Sequence, residues 1–110
     1  MTLTIHIYYT GPKGAAKQFA DEMISSGLVD KIRATKGNLQ YDYFIPYADN
    51  DSLLLIDQWE NQDALDAHHD SDTMQQILQL RQKYHLTMKV ERFKDDQDSM
   101  TDKDRAFIAN

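Results

Sequence analysis

The chain opens with eight residues in which apolar and more polar side chains alternate. Leu3, Ile5, Ile7 and Tyr9 fall on one face of this segment, and the positions between them, which include His6, fall on the other. A period of two predicts a strand with one strongly apolar face. Alternation also predicts strands over residues 38–45 and 86–93, and a mostly unbroken apolar run predicts one over residues 52–60.

Between the first two predicted strands, apolar residues recur at helical spacing. They predict an amphipathic helix that has Pro12 as its first residue, ends near Gly27 and carries an apolar stripe of Ala15, Ala16, Phe19, Ala20, Met23 and Ile24. A second, shorter helix is predicted over residues 28–34 and ends before Gly37.

The connection after the third predicted strand also contains two helices. Asn61 is the predicted N-cap of the first helix, whose apolar stripe carries Ala64, Leu65 and His68. Ser71 is the predicted N-cap of the second helix, which presents Met74, Ile77, Leu78 and Arg81 on one face. Residues 46–51, between the second and third strands, are rich in turn formers and predict a hairpin loop.

The resulting order, β-α-β-β-α-β, is typical of a ferredoxin-like α+β domain with a four-stranded antiparallel sheet. In such a domain the helices cover one face of the sheet. Residues 53–56 are apolar at every position, so both faces of their strand need cover. We therefore expect a homodimer in which the two sheets face one another.

Composition and charge narrow the functional classes. The 110 residues suffice for one domain, predicted over residues 1–94 and followed by an acidic tail over residues 95–110. The net charge of −6, from 12 Lys and Arg against 18 Asp and Glu, argues against nucleic-acid binding and favours a small, neutral or weakly charged ligand. The chain has no cysteine and no apolar segment long enough to span a membrane, so we expect a cytoplasmic protein.

The acidic tail contains three apolar residues, Met100, Phe107 and Ile108. They either form one face of a short terminal helix that packs on the partner subunit or belong to a disordered tail. Sequence alone leaves both alternatives open.

Three neighbouring motifs carry a resemblance to a known family: GNLQYDYF at residues 37–44, DQWE at residues 57–60, and ALDAH at residues 64–68 followed by Ser71. Together, with Trp59 and His68 nine residues apart, they resemble the antibiotic biosynthesis monooxygenase family over residues 2–93. The resemblance implies a dimeric α+β barrel. In the family's characterised enzymes it implies oxygenation of quinol-like or polyphenolic substrates by O₂ without a metal, flavin or other cofactor. Many relatives carry an aromatic residue or histidine just after the serine, whereas residues 72–74 here are Asp-Thr-Met, so the substrate is not identified.

Such a reaction needs a base that deprotonates an electron-rich phenol, a group that orients the ring, and apolar walls. His68 is the predicted base, because imidazole titrates near neutral pH and the apolar stripe of its helix faces the sheet. Trp59 is the second predicted catalytic residue, as a pocket wall whose indole N–H donates to a substrate oxygen. For both residues, a purely structural role is the alternative. The predicted substrate-binding residues are Asn38, Tyr41, Tyr43, His6, Leu65 and Ile77.

His69 does not complete a metal site with His68, because adjacent helical side chains diverge by about 100°. Three other functions fit the same fold. The first is a non-catalytic dimeric module that binds a small apolar ligand, with the histidines and tryptophan as structural residues. Haem degradation would need an axial histidine late in the second helical region, where Met74, Ile77 and Leu78 stand instead. A small-sugar isomerase would need a basic phosphate pocket, to which only Lys89, Arg92 and the group at residues 31–33 could contribute.

Overall fold

A computed structural model describes residues 2–108 and confirms the predicted order of elements. The strands are β1 (Leu3–Thr10), β2 (Asn38–Phe44), β3 (Ser52–Trp59) and β4 (Thr87–Lys94). The helices are α1 (Ala15–Ser25), α2 (Leu28–Arg33), α3 (Gln62–His69), α4 (Asp72–Lys83) and α5 (Asp102–Arg105). Met1, Ala109 and Asn110 belong to the predicted domain and tail but lie outside the described residues.

The four strands form one antiparallel sheet in the order β2-β3-β1-β4. The connection from β1 to β2 runs through α1 and α2, and the connection from β3 to β4 runs through α3 and α4. Each connection passes over one intervening strand, which is the split βαβ arrangement of a ferredoxin-like domain. The predicted α+β fold class is therefore confirmed.

The core lies between the helices and one face of the sheet. Along β3, burial alternates strictly, since Leu53, Leu55, Asp57 and Trp59 are buried and the residues between them are half-buried. Helices α1 and α2 pack against this face with four completely buried side chains, those of Ala16, Phe19, Met23 and Ile32. This face also contains the functional site described below.

Helix α1 begins three residues later than predicted. Its N-cap is Gly14, whose φ of 77° lies in the left-handed region that glycine adopts without strain. Pro12 lies in the preceding turn, where its carbonyl accepts a hydrogen bond of 3.0 Å from the N–H of Ala15. The prediction of Pro12 as the first helical residue is wrong, because a tight turn separates it from the helix.

Strand β2 begins with an irregularity that simple alternation does not predict. Asn38 pairs with Trp59 and Gln40 pairs with Gln58, so Leu39 is an extra residue in the strand. The side chain of Leu39 is consequently 51% exposed, whereas Tyr41 is 2% exposed. The inward face of β2 therefore begins at Tyr41.

The other face of the sheet is not covered by the helices. The registers of β1 with β3 and β4 place His6 and Tyr8 on this outer face, together with Leu54, Ile56 and Phe93. Phe93 is 44% exposed, and its ring centroid lies 4.8 Å from that of His6. The outer face thus carries aromatic and aliphatic side chains, with Lys89 and Glu91 of β4 beside them.

The tail contains a short 3₁₀ turn (Gln97–Ser99) followed by α5, which begins with a capping box formed by Thr101 and Asp104. Phe107 and Ile108 follow the end of α5, and their side chains are 81% and 52% exposed. Met100 precedes the helix, so none of the three apolar tail residues lies within α5, and packing of the tail on a partner subunit stays an open alternative. Among residues 2–108, no helix combines the length and the apolar character needed to cross a membrane.

Candidate active site

A cavity of about 410 Å³ lies between the sheet and the pair of helices α3 and α4. Its volume falls in the range of small-molecule binding sites. Most of its wall is apolar, with contributions from Ile5, Ile7, Leu55, Leu65, Met74, Ile77, Met88 and Val90. Leu65 and Ile77, two of the predicted substrate-binding residues, therefore lie at the cavity.

The cavity exists because the second pair of helices covers its part of the sheet incompletely. Helix α4 buries one residue fully, Ile77. On β4, Met88 and Val90 face the helices according to their pairing with Tyr9 and Ile7, yet they remain 40% and 48% exposed. Apolar surface of both strands is therefore left for a ligand to cover.

His68 lies in the cavity wall at the last turn of α3. The helix begins at its predicted N-cap, where the Asn61 side chain accepts a hydrogen bond of 2.9 Å from the N–H of Ala64. His68 is 4% exposed, and its ring stacks on that of Trp59 with centroids 4.7 Å apart. Burial, with a smaller contribution from neighbouring His69, lowers the pKa of His68 to about 4, so its imidazole is neutral at pH 7.

Asp57 is the second ionisable group buried in the wall of the cavity. It is 4% exposed and lies on β3 between two buried apolar neighbours on the same face, Leu55 and Trp59. Burial raises its pKa to about 6, although a hydrogen bond from the Trp59 indole partly opposes the rise. Oxygen Oδ1 is buried and has no hydrogen-bond partner among residues 2–108. An unpaired buried carboxylate oxygen is costly, so a ligand that donates a hydrogen bond there would be stabilised.

Trp59 lies behind the cavity wall, and its side chain is completely buried. Its indole N–H donates to Oδ2 of Asp57 at 3.3 Å, so this donor is already occupied within the protein. The structure therefore differs from the prediction that Trp59 forms the wall and donates to a substrate oxygen. Trp59 instead supports the two groups that do face the cavity, His68 and Asp57.

The two predicted tyrosines share the inward face of β2, but only one of them reaches the cavity. Tyr41 lines the cavity and pairs across the sheet with Asp57. Tyr43 is half-buried against the core and does not line the cavity, although its hydroxyl lies 3.4 Å from that of Tyr41. Burial raises the pKa of both phenols, which therefore stay protonated at neutral pH.

Two other predicted binding residues lie away from the cavity. Asn38 is at the start of β2, where its side-chain amide donates to the carbonyls of Gln40 and Gln58 at 3.2 and 3.3 Å and so stabilises the bulge. His6 lies on the outer face of the sheet, because β1 alternates and its neighbours Ile5 and Ile7 face the helices. Neither side chain reaches this site.

The sequence assigns no role in this cavity to three of its charged residues, Asp57, Arg81 and Arg92. A signal for Asp57 was present, since it occupies the same alternating position as the buried Leu53 and Leu55. Arg81 was predicted to share a helical face with Ile77, which is correct, but no function was predicted for it. Arg92 was considered for a phosphate site, and its position follows from a pairing of β4 with β1 that no local pattern reveals.

Metal ligands do not converge at this cavity or elsewhere in the described part of the chain. Within residues 2–108, no group of three or more His, Cys, Asp and Glu side chains could hold a metal ion. The polar groups that the cavity does offer are the Asp57 carboxylate, two imidazoles, two guanidinium groups and the phenols of Tyr9 and Tyr41.

The model of the antibiotic biosynthesis monooxygenase family matches residues 2–80 of the chain. Similar solved structures include a Pseudomonas aeruginosa protein that is 25% identical, with a TM-score of 0.72 over 86% of this chain and 93% of its own. A Bacteroides thetaiotaomicron protein is 18% identical, with a TM-score of 0.75 over 86% of this chain and 97% of its own. A third, described as an antibiotic biosynthesis monooxygenase, is 20% identical, with a TM-score of 0.70 over 84% and 97%. No curated protein matches the chain.

The solved structures share the fold at low identity, and the family match spans most of the chain, including the motifs around Trp59 and His68. The resemblance inferred from those motifs is therefore confirmed. This chain belongs to the antibiotic biosynthesis monooxygenase family.

Proposed function

We propose that this protein is a cofactor-independent monooxygenase that oxidises a quinol or polyphenol with O₂ inside the cavity. The observation that carries the proposal is an apolar cavity with two buried ionisable side chains in its wall, His68 and Asp57. Apolar walls keep water from a reactive anion, and the buried groups can accept a phenolic proton or hydrogen bond. Membership of the family supports the same class of reaction.

A hydroquinone supplies every electron that this reaction needs. Loss of one phenolic proton to a base gives an anion, which transfers an electron to O₂, and the two radicals combine into a ring peroxide with a new C–O bond. Cleavage of the O–O bond leaves one oxygen atom on the ring as a carbonyl. The other oxygen leaves as water, with the phenolic proton and the hydrogen of the attacked ring carbon. One hydroquinone and one O₂ thus give one hydroxyquinone and one water.

In this proposal His68 is the base. Its imidazole is neutral at pH 7 and therefore has a nitrogen free to accept a proton. Burial, which lowers the pKa of the ring to about 4, also weakens it as a base, so the transfer requires the phenolate charge that forms beside it to stabilise the imidazolium. Stacking on Trp59 holds the ring in place, which reduces the entropy lost when substrate binds. The charge that develops on the ring is delocalised and forms only when the phenolate forms beside it.

Asp57 has a complementary role, as the acceptor for a second phenolic O–H. Its pKa of about 6 makes it a stronger hydrogen-bond acceptor than an exposed carboxylate while it remains ionised at pH 7. Oxygen Oδ1 has no partner among the described residues and belongs to a side chain that lines the cavity. A quinol, with hydroxyl groups at two ends of one ring, offers a donor for each acceptor.

The test is oxygen consumption by the metal-stripped protein with a panel of reduced quinones and polyphenols, corrected for autoxidation. We expect uptake by the wild type and a loss of at least about a hundredfold in the His68→Ala variant, which is the usual contribution of a general base. His85→Asn is the matched control, because this exposed histidine lies away from the cavity at a φ of 54° that asparagine tolerates.

Unchanged uptake in His68→Ala would remove His68 from the role of base. No uptake by the wild type with any compound would contradict the oxygenase proposal. If calorimetry then detected binding of the same compounds, the non-catalytic binding module would become the better account of the cavity.

We also propose that a second copy of the chain covers the outer face of the sheet, giving the expected homodimer. The centre of this face carries Tyr8, Leu54, Ile56 and Phe93, which water would otherwise contact. Exposed apolar surface of this kind usually marks an interface.

Sedimentation equilibrium at micromolar concentration tests the dimer. We expect twice the chain mass of 12.8 kDa for the wild type, and a shift towards monomer in Ile56→Asp, which places a charge at the centre of the outer face. Gln79→Asp, an exposed change on α4, should remain dimeric. A stable wild-type monomer would refute the facing-sheet arrangement.

A further inference from the structure

We infer that the cavity takes an aromatic acid, a phenol that carries a carboxylate, with its hydroxyl at Asp57 and its carboxylate at Arg92. The inference names the substrate class of the oxygenase proposed above and so rests on that proposal for its chemistry. The binding geometry, however, depends only on side chains of this chain. It makes more specific the small, neutral or weakly charged ligand that overall charge predicts.

The register of the sheet places an acid and a base on either side of one apolar residue. Ile5 of β1 pairs with Asp57 of β3 on one side and with Arg92 of β4 on the other. Directly paired residues share a face of the sheet, and all three line the cavity. With neighbouring strands about 4.8 Å apart, the Cα atoms of Asp57 and Arg92 are about 10 Å apart. One substituted aromatic ring, lying over Ile5, spans the gap that remains between the two side chains.

Neither arginine of the cavity has an acidic partner among the residues that the structure describes. Arg92 donates from Nη2 to the side-chain carbonyl of Gln62 at 2.7 Å, and Arg81 contacts the sulfur of Met88 at 2.8 Å. None of the ion pairs among residues 2–108 includes either residue. In a chain with 18 acidic and 12 basic residues, two guanidinium groups that face one cavity without forming an ion pair, even with the Asp57 of the same wall, are notable. A bound anion would satisfy them.

Charge also determines the direction in which the ligand lies. A carboxylate next to the buried Asp57 would be repelled, whereas a guanidinium binds a carboxylate through two parallel N–H donors. The phenolic O–H is the donor that the unpaired Oδ1 of Asp57 lacks. Between the two ends, Ile5 and Ile77 offer only apolar surface, which suits the flat face of a ring.

The test compares gentisate, a hydroquinone that bears a carboxylate, with its methyl ester, by calorimetry in the absence of oxygen. We expect the wild type to bind gentisate at least about tenfold more tightly than the ester, the usual size of a charge-assisted contact. Arg92→Gln should abolish this preference by weakening the binding of the acid alone. Arg92→Lys should restore part of it, which a merely structural arginine would not. Arg105→Gln, in the tail, should keep the full preference.

Equal affinity of the wild type for acid and ester would overturn the inference, as would an undiminished preference in Arg92→Gln. Different results would refute the oxygenase proposal. If the acid binds preferentially and no compound supports oxygen uptake, the aromatic-acid site stands without the chemistry. If neutral quinols support uptake and the acid has no advantage in binding, the chemistry stands and the aromatic-acid site is wrong.

Discussion

Each pair of helices connects two strands and packs on the same face of the sheet, but only the first pair fills its half of the molecule. Helices α1 and α2 bury Phe19, Met23 and Ile32 completely against the sheet. Helices α3 and α4 bury Leu65, His68 and Ile77 and leave a cavity of about 410 Å³ beside them. Unfilled space costs packing free energy in the second half. The buried ionisable residues, His68 and Asp57, lie where the packing is incomplete.

Two methionines allow this contrast to be measured with one substitution. Met23 of α1 is completely buried in the core, whereas Met74 of α4 is half-buried at the cavity. We expect Met23→Ala to lower the free energy of unfolding by about 2–5 kcal/mol, because it opens a new void in a filled core. Met74→Ala should cost about 1 kcal/mol or less, since it enlarges a space that already exists. Urea denaturation of both variants gives the two values.

Equal losses for the two methionines would contradict the contrast, because they would mean that the second half is packed as tightly as the first. The slope of unfolding free energy against urea should be unchanged in both variants, which confirms that the same surface is exposed on unfolding.

Next in size is the pH dependence of stability, in which the two ionisable groups of the cavity act in opposite directions. The pKa of Asp57 is raised from 3.8 to about 6 on folding, so the native state binds the proton more tightly and stability falls as pH rises through this window. The pKa of His68 is lowered from 6.5 to about 4, so the unfolded state binds the proton more tightly and stability falls as pH drops through its window. Each effect amounts to at most about 3 kcal/mol.

In the wild type these two effects largely cancel between pH 4 and pH 6. Asp57→Asn should be more stable than the wild type above pH 6 and lose that advantage on acidification. His68→Gln should instead gain stability relative to the wild type as pH falls from 6.5 towards 4. Thermal denaturation across this range tests both, with Asp98→Asn in the exposed tail as control. Parallel curves for the two cavity variants would show that the groups are not buried as described.

Local sequence patterns predict most of the fold because its elements have clear periods and caps. Alternation defines β1, and Asn61 and Ser71 start α3 and α4 as their side-chain chemistry predicts. The errors lie where the determining interaction is not local. The extra residue at Leu39 depends on how β2 pairs with β3, and the start of α1 depends on a turn closed by Pro12.

The residues of the candidate site likewise fall into those that local sequence patterns predict and those that depend on non-local pairing. Helical spacing places His68, Leu65 and Ile77 on faces that do reach the cavity. The position of Trp59 behind the wall follows from the alternation of side chains along β3. This alternation buries Trp59 against the helices, and its indole N–H donates to Asp57. That Asp57 and Arg92 flank Ile5 is a matter of register among three strands, which no single stretch of sequence contains.

The most direct test of whether the incompletely packed half is the binding site is an NMR titration. Methylhydroquinone is added to ¹⁵N-labelled protein under a nitrogen atmosphere, and the amide chemical shifts are followed. Our account predicts the largest changes at cavity residues of the second half and its strands, such as Leu65, His68 and Val90. It predicts little change at Met23 and Ile32, which are fully buried beneath the first pair of helices. Changes concentrated around those two residues or on the outer face, or no changes at any concentration, would contradict the claim.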